Sequence, residues 1–584
     1  MKTIRYLIVL SFTIGALIFS GCSGLQKMKK NAGLIQFKTT PKTLETHAGK
    51  VDVSIDTKFP GKYFDKKATL VATPVLKYDG GETAFNSTNL QGENVKANNK
   101  VINYDNGSSI AYKGAVDFNK AMNLSDLEVR MVASKGKKEV VFNPVKIARG
   151  VIATSTFYAN MPKAIIGVRR EANNTGKYDP NIDPFQRIVP DELMADIHYL
   201  INKADLRDDE IEADDIKKIQ EYTKDAYNSK NKELKGVQIT AAASPDGTID
   251  LNTELAAKRK DTSAEFMKES LRKSGVETNL KTRYTPEDWD GFKELMEKSN
   301  IRDKDLILRV LSMYTDPEVR EREIKNLSIA FTSVAEDILP QLRRARILTS
   351  IELIGKADEE ILALAESNPS ALNPAELLYA ATLTENPDKK LSVYQSFIKI
   401  YPTDWRGPNN AGYILVKQMK YAEAKPMFEK AEKLKSNESI VKNNLGAIAL
   451  YEGKLKEAEE YFGAAAGSGS EVSYNQGLLN LKKGEYSKAV RYFEDDADVN
   501  TALARILNGD NSGALKDLEA FTLPNCYMKE YLKAVIGART AKENMVIESL
   551  KAAIGINPEM KAKASTDMEF AGYFDNAKFK ALVQ

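Results

Sequence analysis

Residues 443–467 read NNLGAIALYEGKLKEAEEYFGAAAG, and they align without gaps on NNAGYILVKQMKYAEAKPMFEKAEKL at 409–434 and NQGLLNLKKGEYSKAVRYFEDDA at 475–497. Gly412, Gly446 and Gly477 fall in register, as do Ala424, Ala458 and Ala489, and Phe428, Phe462 and Phe493. The glycine intervals are 446 − 412 = 34 and 477 − 446 = 31 residues. Small residues at the crossing of two helices, with one aromatic beneath them, describe a helical hairpin repeated with a period near 34.

That period and those positions resemble the tetratricopeptide repeat (TPR), and they assign 357–584 to an all-α superhelix. PAELLYAATLTENPDKKLSVYQSFIKIYPTD (374–404) adds a repeat before the three, and 531–558 a late one. The stretch 498–524 between them reads as shortened and degenerate, and EFAGYFDNAKFKALVQ at the C-terminus reads as a cap. Such stacks take peptides or helices of partner proteins in a groove lined by the first helix of each repeat. The residues expected there are Asn409, Asn410, Lys417, Asn443, Asn444, Tyr474 and Asn475. A recurring Asn pair suits hydrogen bonding to a partner's backbone, or alternatively caps helices.

Outward from the repeats, 188–356 changes to mixed α/β. Strands are expected within 193–207, 236–243, 278–285 and 344–355. Helices are expected over 208–230 and from the loop at 244 through Arg272. This order makes a split βαβ-type α+β layer. The stretch AAASPDGTIDLNTELAAKR (241–259) resembles the peptidoglycan-binding motif of the OmpA C-terminal family. Asn252, Leu255 and Arg259 match that motif in spacing, Gly247 lies in its loop, and Ser244 stands where the family carries an aspartate. Asp246 lies two residues on, behind Pro245. The resemblance implies a carboxylate grip by Arg259, while Ser244 removes the ammonium half of the site unless Asp246 swings into its place against the stiffness of Pro245. The loop, Glu287-Asp288-Trp289 and Leu342-Arg343-Arg344 are similar to a narrower OmpA-like branch associated with fimbrial and outer-membrane assembly. That resemblance implies an envelope assembly or anchoring role, with a helical insertion before the last strand.

Nearer the N-terminus, VDVSID (51–56) and ATLVATPVLKY (68–78) alternate or run apolar as strands do, and Asp79-Gly80-Gly81 and Asn106-Gly107 mark turns. A β-sandwich is expected over 48–160, followed by a linker over 161–187. Residues 1–21 combine Lys2 and Arg5 with an apolar run, a secretory signal pattern. Phe19-Ser20-Gly21-Cys22 resembles a lipoprotein lipobox, which implies lipidation of Cys22 and a tether over 22–47. The lipid is the only membrane attachment expected, on the periplasmic side of an outer membrane.

Composition narrows the function. With 84 basic and 81 acidic side chains the near-balanced charge argues against nucleic acid as a partner. His47 and His198 are the only histidines, and Cys526 the only cysteine besides Cys22. No metal, cofactor or nucleophile–base set is expected, so the chain is read as a non-catalytic envelope lipoprotein acting as a protein-interaction scaffold. The alternative is a true peptidoglycan anchor working through Arg259.

Overall fold

The computed structural model describes residues 23–167, 170–172, 177–179, 185–326, 328–494 and 496–584. Cys22 and the signal segment lie outside them. The chain forms two compact units, one from residues 1–182 with 386–584 and one from 183–385. Among the described residues no helix is long and apolar enough to cross a membrane.

In the first unit, two sheets pack face to face. One has the order Val151–Ile152, Gln36–His47, Lys50–Phe59, Ser108–Asp117. The other runs Val145–Arg149, Asp126–Lys135, Thr69–Tyr78, Thr88–Gly92, Lys100–Ile102, with two short strands paired alongside. Period-two patterning explains the packing: Val51, Val53 and Ile55 are buried on one face of their strand and meet Leu76 and Leu127 of the opposite sheet. The expected tether is corrected. Ser23–Lys30 is a helix whose Leu25 and Met28 sit three residues apart on one face, buried with Phe59 and Phe64. The Tyr63 hydroxyl donates to the Met28 carbonyl at 2.8 Å. The following residues, 36–47, form a sandwich strand, so residues 23–47 belong to the domain.

The second unit holds a four-stranded sheet in the order Ile188–His198, Arg344–Ile354, Lys232–Ala242, Leu280–Thr285. Arg344–Ile354 is antiparallel to both of its neighbours, Ile188–His198 and Lys232–Ala242, and Lys232–Ala242 pairs in parallel with Leu280–Thr285. Helices Asp214–Asn228 and Ile249–Ser274 cover one face through Ile216, Ile219 and Met267, which pack on Ile197, Ile239 and Ile347. Thr248 caps the longer helix, and Gly275 ends it in the left-handed region at φ +69°, which a Cβ disfavours. Residues 289–342 form a small helical insertion with its own core of Phe292, Met296, Ile307 and Leu342.

The helical hairpins belong to the first unit. They are Arg406–Lys417 with Tyr421–Leu434, Ser439–Tyr451 with Leu455–Ala464, and Ser470–Lys482 with Tyr486–Phe493. The stretch expected to be degenerate makes a short complete hairpin, Val499–Leu507 with Asn511–Ala520. A further one, Tyr527–Arg539 with Glu543–Ile556, precedes the C-terminal helices. The helices Asp358–Ser367 and Pro374–Ala380, expected as the start of the array, belong to the second unit. Lys356 pairs there with Glu376 at 3.0 Å.

Close approach of an aromatic ring to each first helix explains the in-register glycines. A Cβ on Gly412, Gly446 or Gly477 would lie 2.6 Å from Phe428, Phe462 or Phe493 respectively. Gly446→Ala therefore forces the fully buried Phe462 ring to move. Overpacking of about 1–3 kcal/mol outweighs the roughly 1 kcal/mol that alanine gains in a helix. A net loss of about 1 kcal/mol is expected in urea denaturation, with Ala458→Gly, which opens space, as the size control.

Candidate functional site: an asparagine ladder holding an extended segment

The first residues of the expected linker, 161–167, form a different structure together with 157–160 of the expected sandwich, and much of the remaining linker lies outside the described residues. After the short helical turn Thr154–Thr156 the chain follows the inner face of the repeats over residues 157–167, with a turn closed by the Met161 N–H on the Ala159 carbonyl at 2.9 Å and an extended run from Pro162 to Gly167. One asparagine from each of the first four hairpins reads the main chain of this stretch. The Asn500 carboxamide accepts from the Ala159 N–H at 2.8 Å and donates to its carbonyl at 2.9 Å. Asn475 does the same for Lys163, with both bonds at 2.7 Å. Asn444 does so for Ile165 at 2.6 and 2.7 Å, and Asn410 accepts from the Gly167 N–H at 2.6 Å. A carboxamide carries one acceptor and one donor group side by side, matching the N–H and C=O of one extended residue.

The second asparagine of each pair locks the first. Asn409 donates to the Ile165 carbonyl and receives the Asn444 amide at 2.9 Å. Asn443 donates to the Lys163 carbonyl and receives the Asn475 amide at 2.9 Å. Asn409, Asn410, Asn443, Asn444, Asn475 and Asn500 are fully buried, so each bond is made away from water, where an unmet group is costly. Residues 163, 165 and 167 meet successive hairpins at two-residue steps, the side-chain period of an extended strand. The segment runs antiparallel to the order of the repeats, from Asn500 toward Asn410.

Side chains complete the seat. Ile165 is fully buried in the core that contains Phe462 and Tyr474, and Ala164 packs with Tyr421 and Phe428. The Lys163 ammonium lies 3.6 Å from the Tyr474 ring centre and 3.4 Å from Asp496. Tyr474 donates to Asp498 at 2.7 Å, and burial with that carboxylate pushes its hydroxyl well above the usual range. The Tyr421 hydroxyl donates to the Pro162 carbonyl. Phe157 packs on Tyr531 at 4.9 Å. Lys417 alone of the expected groove residues has no part: it is exposed at the end of its helix beside Tyr413.

Lys482 holds the segment from the side, donating to Asn160 Oδ1 and the Leu450 carbonyl at 2.9 Å each. Burial pushes its ammonium down to about 8 from an ordinary 10.5. Between those two values the unfolded chain binds more protons than the folded one, so stability rises with pH there. Denaturation midpoints are expected to climb from pH 8 to pH 10, and Lys482→Met to flatten that climb.

Sequence reasoning missed Asn500 and the segment itself. Ala502 and Ala514 repeat the twelve-residue step of Gly446 and Ala458, and Asn500 precedes Ala502 as Asn444 precedes Gly446. That spacing marks Asn500 once the hairpin is aligned.

The residues expected from the sequence to bind peptidoglycan form a separate cluster in the second unit. Arg259 is 1% exposed, and its Nε, Nη1 and Nη2 donate to the carbonyls of Lys203, Ala242 and Leu200 at 2.9, 3.0 and 3.2 Å. Its guanidinium lies over the Tyr199 ring at 5.2 Å, and burial pushes it down to about 10. Asp246 does not turn toward it. Asp246 accepts from Ser244 Oγ and from Arg343 Nη2, and Arg343 Nε donates to Ser244 Oγ at 3.1 Å. Asn252 donates to the Gly247 carbonyl and to Glu287. Arg344 bridges Asp196 and Asp288 at 3.0 and 3.1 Å. The loop, the Glu-Asp-Trp stretch and the Leu-Arg-Arg stretch are thus linked by hydrogen bonds among themselves.

No family model matches the sequence, and no curated protein matches it. Among solved structures, the chain is similar to YrrB, a TPR protein with an unusual peptide-binding site, at 21% identity over 28% of this chain and 92% of that one, TM-score 0.23. It is similar to a tetratricopeptide repeat protein from Parabacteroides merdae at 16% identity over 36% and 91%, TM-score 0.29. It is also similar to Pseudomonas aeruginosa PilF at 14% identity over 37% and 99%, TM-score 0.28. The Gly–Phe crossings and the stacked hairpins make the C-terminal array a tetratricopeptide-type repeat domain, and the polypeptide in its groove is the chain's own residues 157–167.

Proposed function

We propose that the protein is a non-catalytic scaffold of the bacterial outer membrane, anchored by a lipid on Cys22 and facing the periplasm, that organises other envelope proteins through its repeats. The observation that carries this reading is the asparagine ladder, a surface built to hold an extended polypeptide by its main chain. The three carbonyl bonds of Arg259 support a framework role for that side chain rather than capture of a wall peptide.

Because the helix Ser23–Lys30 is folded onto the sandwich, a lipid on Cys22 would hold the folded body close to the membrane surface. Labelling cells with an alkyne fatty acid is expected to mark the full-length chain, and Cys22→Ser to abolish the label and release the protein from membranes. Crosslinking with mass spectrometry on intact cells tests the scaffold: envelope proteins attached within 370–560 are expected. Recovery of none would sink that reading.

A further inference from the structure

We infer that the inner face of the repeats is a backbone-reading site for one class of ligand, an extended peptide patterned on Lys163-Ala164-Ile165-Ile166-Gly167, and that the chain's own segment closes it to such peptides from partners. The inference rests on the scaffold reading and names the ligand of that same face.

Each rung bonds to the N–H or C=O of the seated residue, so the ladder itself accepts any residue that keeps its N–H. Proline is excluded at 163, 165 and 167, where an N–H is donated, and tolerated at 162, where only the carbonyl is used. Selectivity comes from the spaces between rungs. The Ile165 side chain is fully enclosed, which asks for an aliphatic group, and Ala164 is 6% exposed, which asks for a small one. A Cβ on Gly167 would lie 2.9 Å from Asn410 Oδ1 and 3.1 Å from Trp405, which asks for glycine. The ring of Tyr474 with Asp496 receives a cation two residues before the aliphatic one. A partner segment of the form Lys-small-aliphatic-x-Gly, extended and free of proline at the three donor positions, fits the whole seat.

The resident segment wins by tethering. A covalently attached ligand competes at an effective concentration on the order of millimolar, so a free peptide of the same sequence and intrinsic affinity is excluded at micromolar concentration. Lys163→Pro with Ile165→Pro removes two donors from the resident segment and leaves every groove residue intact.

The test adds a fluorescent synthetic peptide of residues 157–167 to the full mature chain and reads anisotropy. The wild-type chain is expected to be no more than about a tenth occupied at about 100 µM, the double-proline chain to bind the peptide fully, and addition of Asn444→Ala and Asn475→Ala to abolish that binding. Equal uptake by wild-type and double-proline chains, or no uptake by a folded double-proline chain, would overturn the inference. Should the double-proline chain fail to fold by circular dichroism, Ile165→Ser replaces it. That variant keeps every backbone bond, loses the aliphatic anchor, and is expected to bind the peptide about tenfold better than wild type. Equal binding by the two would be equally fatal. Failure here leaves the crosslinking result on intact cells standing, so the ligand assignment and the scaffold reading fail separately.

Discussion

Asn444→Ala is expected to destabilise the first unit by about 3 kcal/mol, since it strands one buried main-chain N–H at about 1–3 kcal/mol and removes three further hydrogen bonds at about 1 kcal/mol each. The Ile165 N–H loses its partner, its C=O keeps only the Asn409 amide, and the Asn409 and Asn443 carboxamides lose one bond each. The loss reads as a lowered urea midpoint for the transition that includes the repeats. Asn444→Leu is the sharper control. It restores volume but no hydrogen bond, so it is expected to recover little of the loss. Full recovery by leucine would mean that packing, not backbone reading, holds the segment.

The second large effect concerns Arg259. Arg259→Lys is expected to cost the second unit about 2–4 kcal/mol, because one ammonium cannot span the three carbonyls that a planar guanidinium reaches. Arg259→Met keeps the apolar stem over Tyr199 and is expected to cost at least as much, since buried carbonyls are left without donors. Sedimentation with peptidoglycan sacculi separates the two roles of the residue. Folded Arg259→Lys protein that pellets like the wild type fits a framework arginine. Loss of pelleting with unchanged stability would restore it as a wall ligand.

Much of the repeat domain was legible because its signal is local. Gly446 and Phe462 lie within one hairpin, and their contact repeats at Gly412 and Gly477, so the spacing alone exposes the crossing. Two strands of the second unit, Lys232–Ala242 and Arg344–Ile354, were legible from their apolar residues, whereas Leu280–Thr285 is largely exposed. The ladder was legible only in half. The asparagine pairs stood out, yet their partner lies 279 residues away for Asn444 and 312 for Asn475. Pro162 and Gly167 break the period-two pattern, so the segment reads as a linker; its regularity lies in main-chain bonds, which no side-chain pattern records. Leu25 and Met28 were hidden by the surrounding lysines, which snorkel from a helix whose other face is buried. Arg259 kept the family spacing, but spacing cannot distinguish a guanidinium aimed at a ligand from one spent on the carbonyls of the bend at 200–203.

The central claim is that buried asparagines hold residues 157–167 by their main chain. Hydrogen–deuterium exchange of the full mature chain tests it most directly, comparing wild type with Asn444→Ala/Asn475→Ala. The wild-type amides of Lys163, Ile165 and Gly167 are expected to exchange as slowly as those of the central sandwich strands, and the double variant to release them while strand Lys50–Phe59 stays protected. Exchange of those three amides in the wild type at the rate of an unstructured peptide would contradict the account.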